Sequence, residues 1–257
     1  MVAGRIASFL TLLLMCLAML YSVQRARRRL PEIRRIAGLD AIDEAVGRAT
    51  EMGKPVFFTP GSGGDITTST ASETFAALEM MSYTANLTAR NDTDFIVGVC
   101  VPNVYPLSEQ VVEQAYLQAG RPDKYHSDMV RFLSPTQFAY ASACMGIIER
   151  EKVASTIMVG RFLAEAMLLA EVSAQVGAIS IAGSGSEYQL PFFIAACDYT
   201  LMGEELLAAG AYLSRDPLKL GFIAGQDWSK LLGVALILVG AVLMTMNDKT
   251  LVTLLSK

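Results

Sequence analysis

An apolar stretch at the amino end of the chain, residues 6–23, is followed by six arginines between positions 25 and 35. Its 18 residues reach about 27 Å as a helix, close to the roughly 30 Å hydrocarbon core of a bilayer. No small-x-small cleavage pattern precedes the arginines, which favours an uncleaved anchor over a signal peptide. Because positive charge follows the segment, we expect the N-terminus outside and the main domain in the cytoplasm.

A second apolar run, residues 231–246, lies near the carboxyl end, with Trp228 and Lys230 just before it. At about 24 Å it is slightly short for a span, and a helix packed on the domain or lying in the interface is the alternative. No charge interrupts the run, which favours a second span and a two-pass protein of the cell membrane. The expected organisation is an anchor (1–24), a basic juxtamembrane segment (25–35), a cytoplasmic domain (36–227) and a second transmembrane segment with a short tail (228–257).

The charge balance of the central part limits its partners. Residues 36–227 carry 11 basic and 23 acidic side chains, a net charge of −12. An acidic domain disfavours nucleic acid, because a phosphate backbone needs a basic face. The four cysteines are isolated in sequence, and the single histidine, His126, argues against a histidine-rich metal site.

Short apolar runs alternate with helical patterns through the central part, and each run ends at or near a glycine or proline. Continuous apolar strands alternating with helices are typical of a parallel sheet that is covered on both faces. The pattern predicts an α/β fold, a Rossmann-like three-layer sandwich with a mainly parallel sheet of about five strands. The predicted strands are 56–59, 94–101, 130–133, 155–159 and 178–182, and the last helix of the domain is 191–213.

Two of the predicted strands end in similar glycine-serine loops. In open α/β sheets ligands lie beyond the carboxyl ends of the strands, and glycine-rich backbone can approach an anion closely. The candidate ligand-binding residues are therefore Gly61, Ser62, Gly63, Gly64 and Asp65 in the first loop, and Gly183, Ser184, Gly185 and Ser186 in the second. Neither loop matches a known phosphate-binding or nucleophile motif, and tight turns need glycine anyway. Asp65 and Glu187 would oppose an anion unless they hold ribose hydroxyls or a cation.

Two carboxylate patterns occur in the second half of the domain. Arg161 and Glu165 have the spacing of an ion pair on one helix face. Glu204 and Glu205 fall inside the apolar helix predicted at 191–213, where they are either a buried carboxylate pair or its solvated face.

The residues 34–45, 49–56 and 59–61 resemble a family of prokaryotic membrane proteins of unknown function. That family is similar in its amino-terminal anchor, its α/β domain and its carboxyl-terminal apolar segment. The resemblance implies the same layout for this chain, and it carries no catalytic role to any residue.

Two functions are compatible with these features. The first is a membrane-anchored cytoplasmic binding or assembly module, which would meet the lipid bilayer and copies of itself or other membrane proteins. Gly233 and Gly240 would support such self-association. The second is an enzyme or sensor that binds a nucleotide-like or other anionic small molecule at the glycine-serine loops. Neither function specifies a cofactor. A transporter is not favoured, since neither apolar segment contains an ionisable residue.

Overall fold

A computed structural model describes residues 6–29, 35–214 and 216–246. The chain divides into two compact units. One unit is Arg34–Leu213, and the other combines the two chain ends, Met1–Ile33 and Ser214–Lys257.

The larger unit is built on a sheet of six strands that are all parallel, with the spatial order 3-2-1-4-5-6. The predicted α/β class is confirmed, with one strand more than expected. The strands are β1 (Val56–Thr59), β2 (Phe95–Val99), β3 (Val130–Phe132), β4 (Ser155–Val159), β5 (Ile179–Ser184) and β6 (Tyr199–Met202).

Helices cover both faces of this sheet. Since successive side chains of a strand point to opposite sides, each strand contributes to an apolar cluster on either face. In β1 Phe57 packs into one buried apolar cluster and Phe58 into the other. The Phe58 cluster includes side chains of α2 (Ala37–Met52), α3 (Ala71–Arg90), α4 (Tyr105–Gln118) and α8 (Glu204–Ser214). The Phe57 cluster includes those of α5 (Gln137–Glu151), α6 (Glu165–Gln175) and α7 (Leu190–Ala196).

The long helix predicted at 191–213 is wrong, since α7, β6 and α8 divide this segment. The carboxylate of Asp198 accepts hydrogen bonds from the backbone N–H and the hydroxyl of Ser180, at 2.8 and 2.9 Å, which holds the chain at the edge of β5. Gly203 then turns the chain with a φ of +51°. Glu204 and Glu205 are therefore in the first turn of α8 and not inside an apolar helix.

The smaller unit contains two long helices, α1 (Ile6–Arg28) and α9 (Pro217–Thr245), which pack against each other. A Cβ added at Gly221 would lie 2.6 Å from the Cα of Val23, and one at Gly225 would lie 2.9 Å from the Cα of Met19, so the helices run antiparallel in close contact. By length and composition, both are long and apolar enough to cross a membrane. The second helix begins well before the apolar run from which it was predicted.

Replacing Gly225 by leucine is expected to separate α1 from α9, at a cost of about 1–3 kcal/mol. Glycine at this place lets two helix backbones approach closely, as in helix pairs within membranes. The measurement is thermal unfolding of the full chain in detergent.

Gly233→Leu is the matched control, because a Cβ there meets no atom within 4 Å in the described part of the chain. Equal destabilisation by both variants would contradict the close contact at Gly225. A loss of oligomers in Gly233→Leu alone would support the self-association predicted for Gly233, which stays a prediction.

Candidate functional site

The strand order reverses between β1 and β4, and ligands of open α/β sheets bind outside the carboxyl ends of the strands at such a point. The loops that follow these two strands are in close backbone contact, which glycines make possible. Gly61 has a φ of +82°, and a Cβ there would lie 2.2 Å from the carbonyl oxygen of Arg161. Gly160 has a φ of +134°, and a Cβ there would lie 2.3 Å from the carbonyl oxygen of Pro60. The backbones of the two loops are therefore in close contact, and together they form the rim of the candidate site.

Glu73, in the first turn of α3, joins this rim to the end of β5. Its Oε1 accepts a hydrogen bond from Nη1 of Arg161 at 3.0 Å, and its Oε2 accepts one from the backbone N–H of Gly185 at 3.0 Å. The residue is 8% exposed. A Cβ at Gly185 would lie 2.7 Å from Cδ of Glu73, so glycine is needed for this approach.

Glu165, in the first turn of α6, is fully buried. Its Oε1 accepts hydrogen bonds from the hydroxyl of Ser62 and from the backbone N–H of Leu163, the latter at 3.1 Å. Its Oε2 accepts one from Nε2 of Gln137 at 2.6 Å. A carboxylate at a helix N-terminus is further stabilised by the helix dipole.

The ion pair predicted between Arg161 and Glu165 is wrong, because Arg161 pairs with Glu73. The spacing rule applies within a helix, and α6 begins only at Glu165.

Thr59, the last residue of β1, shares a hydrogen bond with the hydroxyl of Tyr140 and accepts one from the backbone N–H of Gly61. Two cysteines near Glu165, Cys100 and Cys144, are buried and do not supply a thiolate nucleophile. Burial raises the pKa of Cys100 to about 11 and raises that of Cys144 further above its usual range. Both thiols are therefore protonated at neutral pH, and a thiol is a poor nucleophile compared with a thiolate.

The first predicted loop lies at the rim, and several of its polar groups have partners within the unit. The backbone N–H of Gly63 donates to the carbonyl oxygen of Arg161 at 2.9 Å. Asp65 forms a turn instead of facing the rim, since its Oδ1 accepts hydrogen bonds from the N–H and hydroxyl of Thr67 and from Asn103. These bonds, led by the Thr67 N–H, hold the pKa of Asp65 below its usual value.

The second predicted loop begins later than expected, because Gly183 and Ser184 are the last residues of β5. A Cβ at Gly183 would lie 2.9 Å from Cβ of Leu201 in β6, so this glycine serves strand packing. The hydroxyl of Ser184 accepts a hydrogen bond from the N–H of Ser186 at 3.2 Å. Glu73 and Arg161 thus connect the two loops, while the ligand-binding role of both loops stays a prediction.

The sequence patterns did not indicate Glu73, nor Ser62 and Gln137 as partners of Glu165. The only local signal was a glutamate in the first turn of α3 and of α6, the helices that follow the β1 and β4 loops, a position that is common for structural reasons. Thr74, beside Glu73, is 1% exposed, and its hydroxyl has no hydrogen-bond partner among the described residues. This hydroxyl lies 2.5 Å from the place where a Cβ on Gly64 would be, so it points at the first loop.

Within residues 6–29, 35–214 and 216–246 there is no group of three or more His, Cys, Asp or Glu side chains that could hold a metal ion. His126 is exposed and lines a cavity of about 180 Å³ with Asp94, the residue before β2. That cavity is at the amino-terminal end of β2, away from the rim. His126 therefore has no part in the candidate site.

Comparison with known proteins identifies a family for the chain and adds no chemistry to the site. No curated protein and no solved structure is significantly similar to it. A family model described as "Domain of unknown function (DUF6754)" matches residues 1–255, and the chain belongs to this family.

Proposed function

We propose that this chain is a membrane-anchored binding module whose α/β unit faces the cytoplasm and takes a small anionic, nucleotide-like molecule at the carboxyl edge of its sheet. The observation that carries the proposal is the carboxylate of Glu73. It bridges the guanidinium of Arg161, which follows β4, and the backbone N–H of Gly185, which follows β5, beside the point where the strand order reverses.

The donors that hold Glu73 are those that recognise an anionic ligand. Arginine binds phosphate and carboxylate groups through strong charge-assisted hydrogen bonds, and backbone N–H groups of glycine-rich turns bind anions. Arg161 keeps 30% of its side chain exposed, whereas the Glu73 side chain is 10% exposed. An incoming phosphate would therefore reach Arg161 from solvent and replace Glu73 on both donors.

The carboxylate of Glu73, once a phosphate has displaced it, is the feature that favours a nucleotide-like ligand. A carboxylate beside a bound phosphate group is suited to hydrogen-bond the hydroxyls of a ribose, as acidic residues do in doubly wound folds. Glu73 would then change partners from Arg161 and Gly185 to a hydroxyl of the ligand. The buried Glu165 would stay in place and hold Ser62 at the rim.

The membrane part of the proposal rests on the two long helices. The last turn of α1 carries Arg25, Arg27 and Arg28. Basic residues at a helix C-terminus complement the helix dipole in any protein, but their excess directly after an apolar span also predicts the cytoplasmic side. The acidic α/β unit would be repelled by an anionic leaflet, so the arginines are the attractive contact.

Glu73→Gln is expected to strengthen anion binding, and Arg161→Gln to abolish it. The measurement is the thermal shift of the full chain in detergent with nucleotides, coenzymes and sugar phosphates. A ligand at a hundredfold excess over its Kd stabilises by about 2.7 kcal/mol. Glu73→Gln should reach this shift at lower ligand concentration than the wild type, because a neutral amide competes less well for Arg161, while its oxygen still accepts a hydrogen bond from a ribose hydroxyl.

Glu171→Gln is the control, since Glu171 is exposed on α6, where it accepts a hydrogen bond from the side chain of Gln175. It should titrate like the wild type. The proposed ligand would be refuted by the absence of a shift in both the wild type and Glu73→Gln, or by an unchanged shift in Arg161→Gln.

A further inference from the structure

A groove of about 310 Å³ runs between α1 and α9, lined by Leu14, Ala18 and Tyr21 of α1 and by Trp228 and Leu232 of α9. We propose that it binds one anionic phospholipid of the cytoplasmic leaflet, with an acyl chain in the groove and the phosphate at Arg25. This inference rests on the membrane anchoring proposed above and is independent of the ligand at the sheet.

The tyrosine of the groove indicates its depth in the bilayer. Tyr21 is 64% exposed and lines the end of the groove nearest the arginines, whereas Trp228 lines a deeper part, since Gly225 of α9 is level with Met19 of α1. Tyrosine collects at membrane–water interfaces, because its ring is apolar and carries one polar group. Leu14 and Leu232 lie further along their helices, away from the arginines. The groove therefore descends from the interface into the hydrocarbon.

Arg25, whose charge suits a phosphate, lies at the end of the same helix face that is nearest the cytoplasm. Leu14, Ala18, Tyr21 and Arg25 are spaced by four, three and four residues, which places them in one stripe along α1. Arg25 is four residues beyond Tyr21, about 6 Å nearer the cytoplasm. Arg27 is two residues further on, so it lies roughly 160° to 200° around the helix from this stripe.

The volume of the groove suits a single lipid chain. The groove offers about 310 Å³, at the lower end of pockets that enclose a single small molecule. Basic pockets between membrane helices on the cytoplasmic side are typical sites for anionic lipid headgroups.

The test is native mass spectrometry of the full chain, reconstituted with phosphatidylglycerol and phosphatidylcholine in equal amounts. We expect one phosphatidylglycerol retained per chain. Arg25→Gln should weaken its retention about fivefold, which corresponds to about 1 kcal/mol for one basic residue near the surface. Arg27→Gln removes the same charge from the other side of the helix and should retain the lipid.

A second pair of variants tests the groove itself. Ala18→Phe fills it and should abolish retention, whereas Ala235→Phe adds the same ring at an exposed position of α9 and should not. Equal losses in Arg25→Gln and Arg27→Gln, retention in Ala18→Phe, or a second copy of the chain bound in place of lipid would overturn the inference.

Resistance to alkaline extraction from membranes separates this inference from the proposed anchoring. Wild type that stays in the membrane but retains no selected lipid contradicts the groove alone. Wild type that is released by the alkaline wash contradicts both the anchoring and the groove.

Discussion

Gly61→Ala is expected to lower the free energy of unfolding of the α/β unit by about 4 kcal/mol. The residue has a φ of +82°, a conformation that costs other residues about 1–3 kcal/mol. Its Cβ would also lie 2.2 Å from the carbonyl oxygen of Arg161, and overpacking of this kind costs about 1–3 kcal/mol more. Because the obstructing atom is backbone, no side-chain rotation relieves the contact.

Thermal unfolding of the full chain in detergent measures this effect, and a loss of this size should lower the Tm by roughly 10 °C. Gly120→Ala is the matched control. Gly120 has a φ of +74°, but a Cβ there meets no atom within 4 Å among the described residues. It should cost about 1 kcal/mol. Similar losses in both variants would show that backbone conformation alone is responsible and that the two loops are not locked together.

The glycines at the rim show which features of the candidate site the sequence could indicate and which it could not. Gly61 and Gly63 are visible as a glycine-rich loop after an apolar strand, and strand ends are where ligands of α/β sheets bind. The partner of Gly61 is the carbonyl oxygen of Arg161, a hundred positions along the chain. Local patterns carry no information on such a contact. The composition of the loop therefore predicted its place after the strand, but not its contact with Arg161.

Glu73 shows the same limit for side chains. Its hydrogen bond to Gly185 joins residues 112 positions apart, and its ion pair with Arg161 joins residues 88 apart. Only the strand order brings α3, the end of β4 and the end of β5 to one place, and strand order is not readable from alternating patterns. The spacing of four residues predicted Glu165 as the partner of Arg161. This prediction is wrong because Arg161 lies before α6 and the two residues do not share a helix.

The sixth strand was missed for a different reason. The segment 191–213 is apolar over most of its length, and length favours a helix when periodicity is ambiguous. In the structure the carboxylate of Asp198 accepts hydrogen bonds from the backbone N–H and hydroxyl of Ser180 at the edge of β5. Tyr199 then pairs with Ile181 to begin β6. The local sequence pattern does not indicate that Asp198 will hydrogen-bond to Ser180 in β5.

Glu165→Ala is expected to lower the free energy of unfolding by about 4 kcal/mol, although no cation is paired with Glu165 among the contacts described. Each hydrogen bond to a charged group contributes about 1.5–3 kcal/mol, and each buried donor left without a partner costs about 1–3 kcal/mol. Glu165 accepts bonds from Ser62, Gln137 and Leu163, and it is fully buried. Water entering the space left by the side chain would recover part of the loss.

Thermal unfolding of the full chain in detergent again provides the measurement, with Glu171→Ala as the control on the same helix. Glu171 is exposed, so its removal should change stability by less than about 0.5 kcal/mol. Glu165→Gln separates the two parts of the effect. It keeps the shape of the side chain, but its amide nitrogen can accept no bond, so either Gln137 or the pair Ser62 and Leu163 loses its acceptor.

We therefore expect Glu165→Gln to be destabilised by about half as much as Glu165→Ala. A Glu165→Ala protein as stable as the wild type would mean that the carboxylate is dispensable for folding. In that case its burial at the point of strand reversal would have to be explained by ligand binding, and the same variant should then lose the ligand-induced thermal shift.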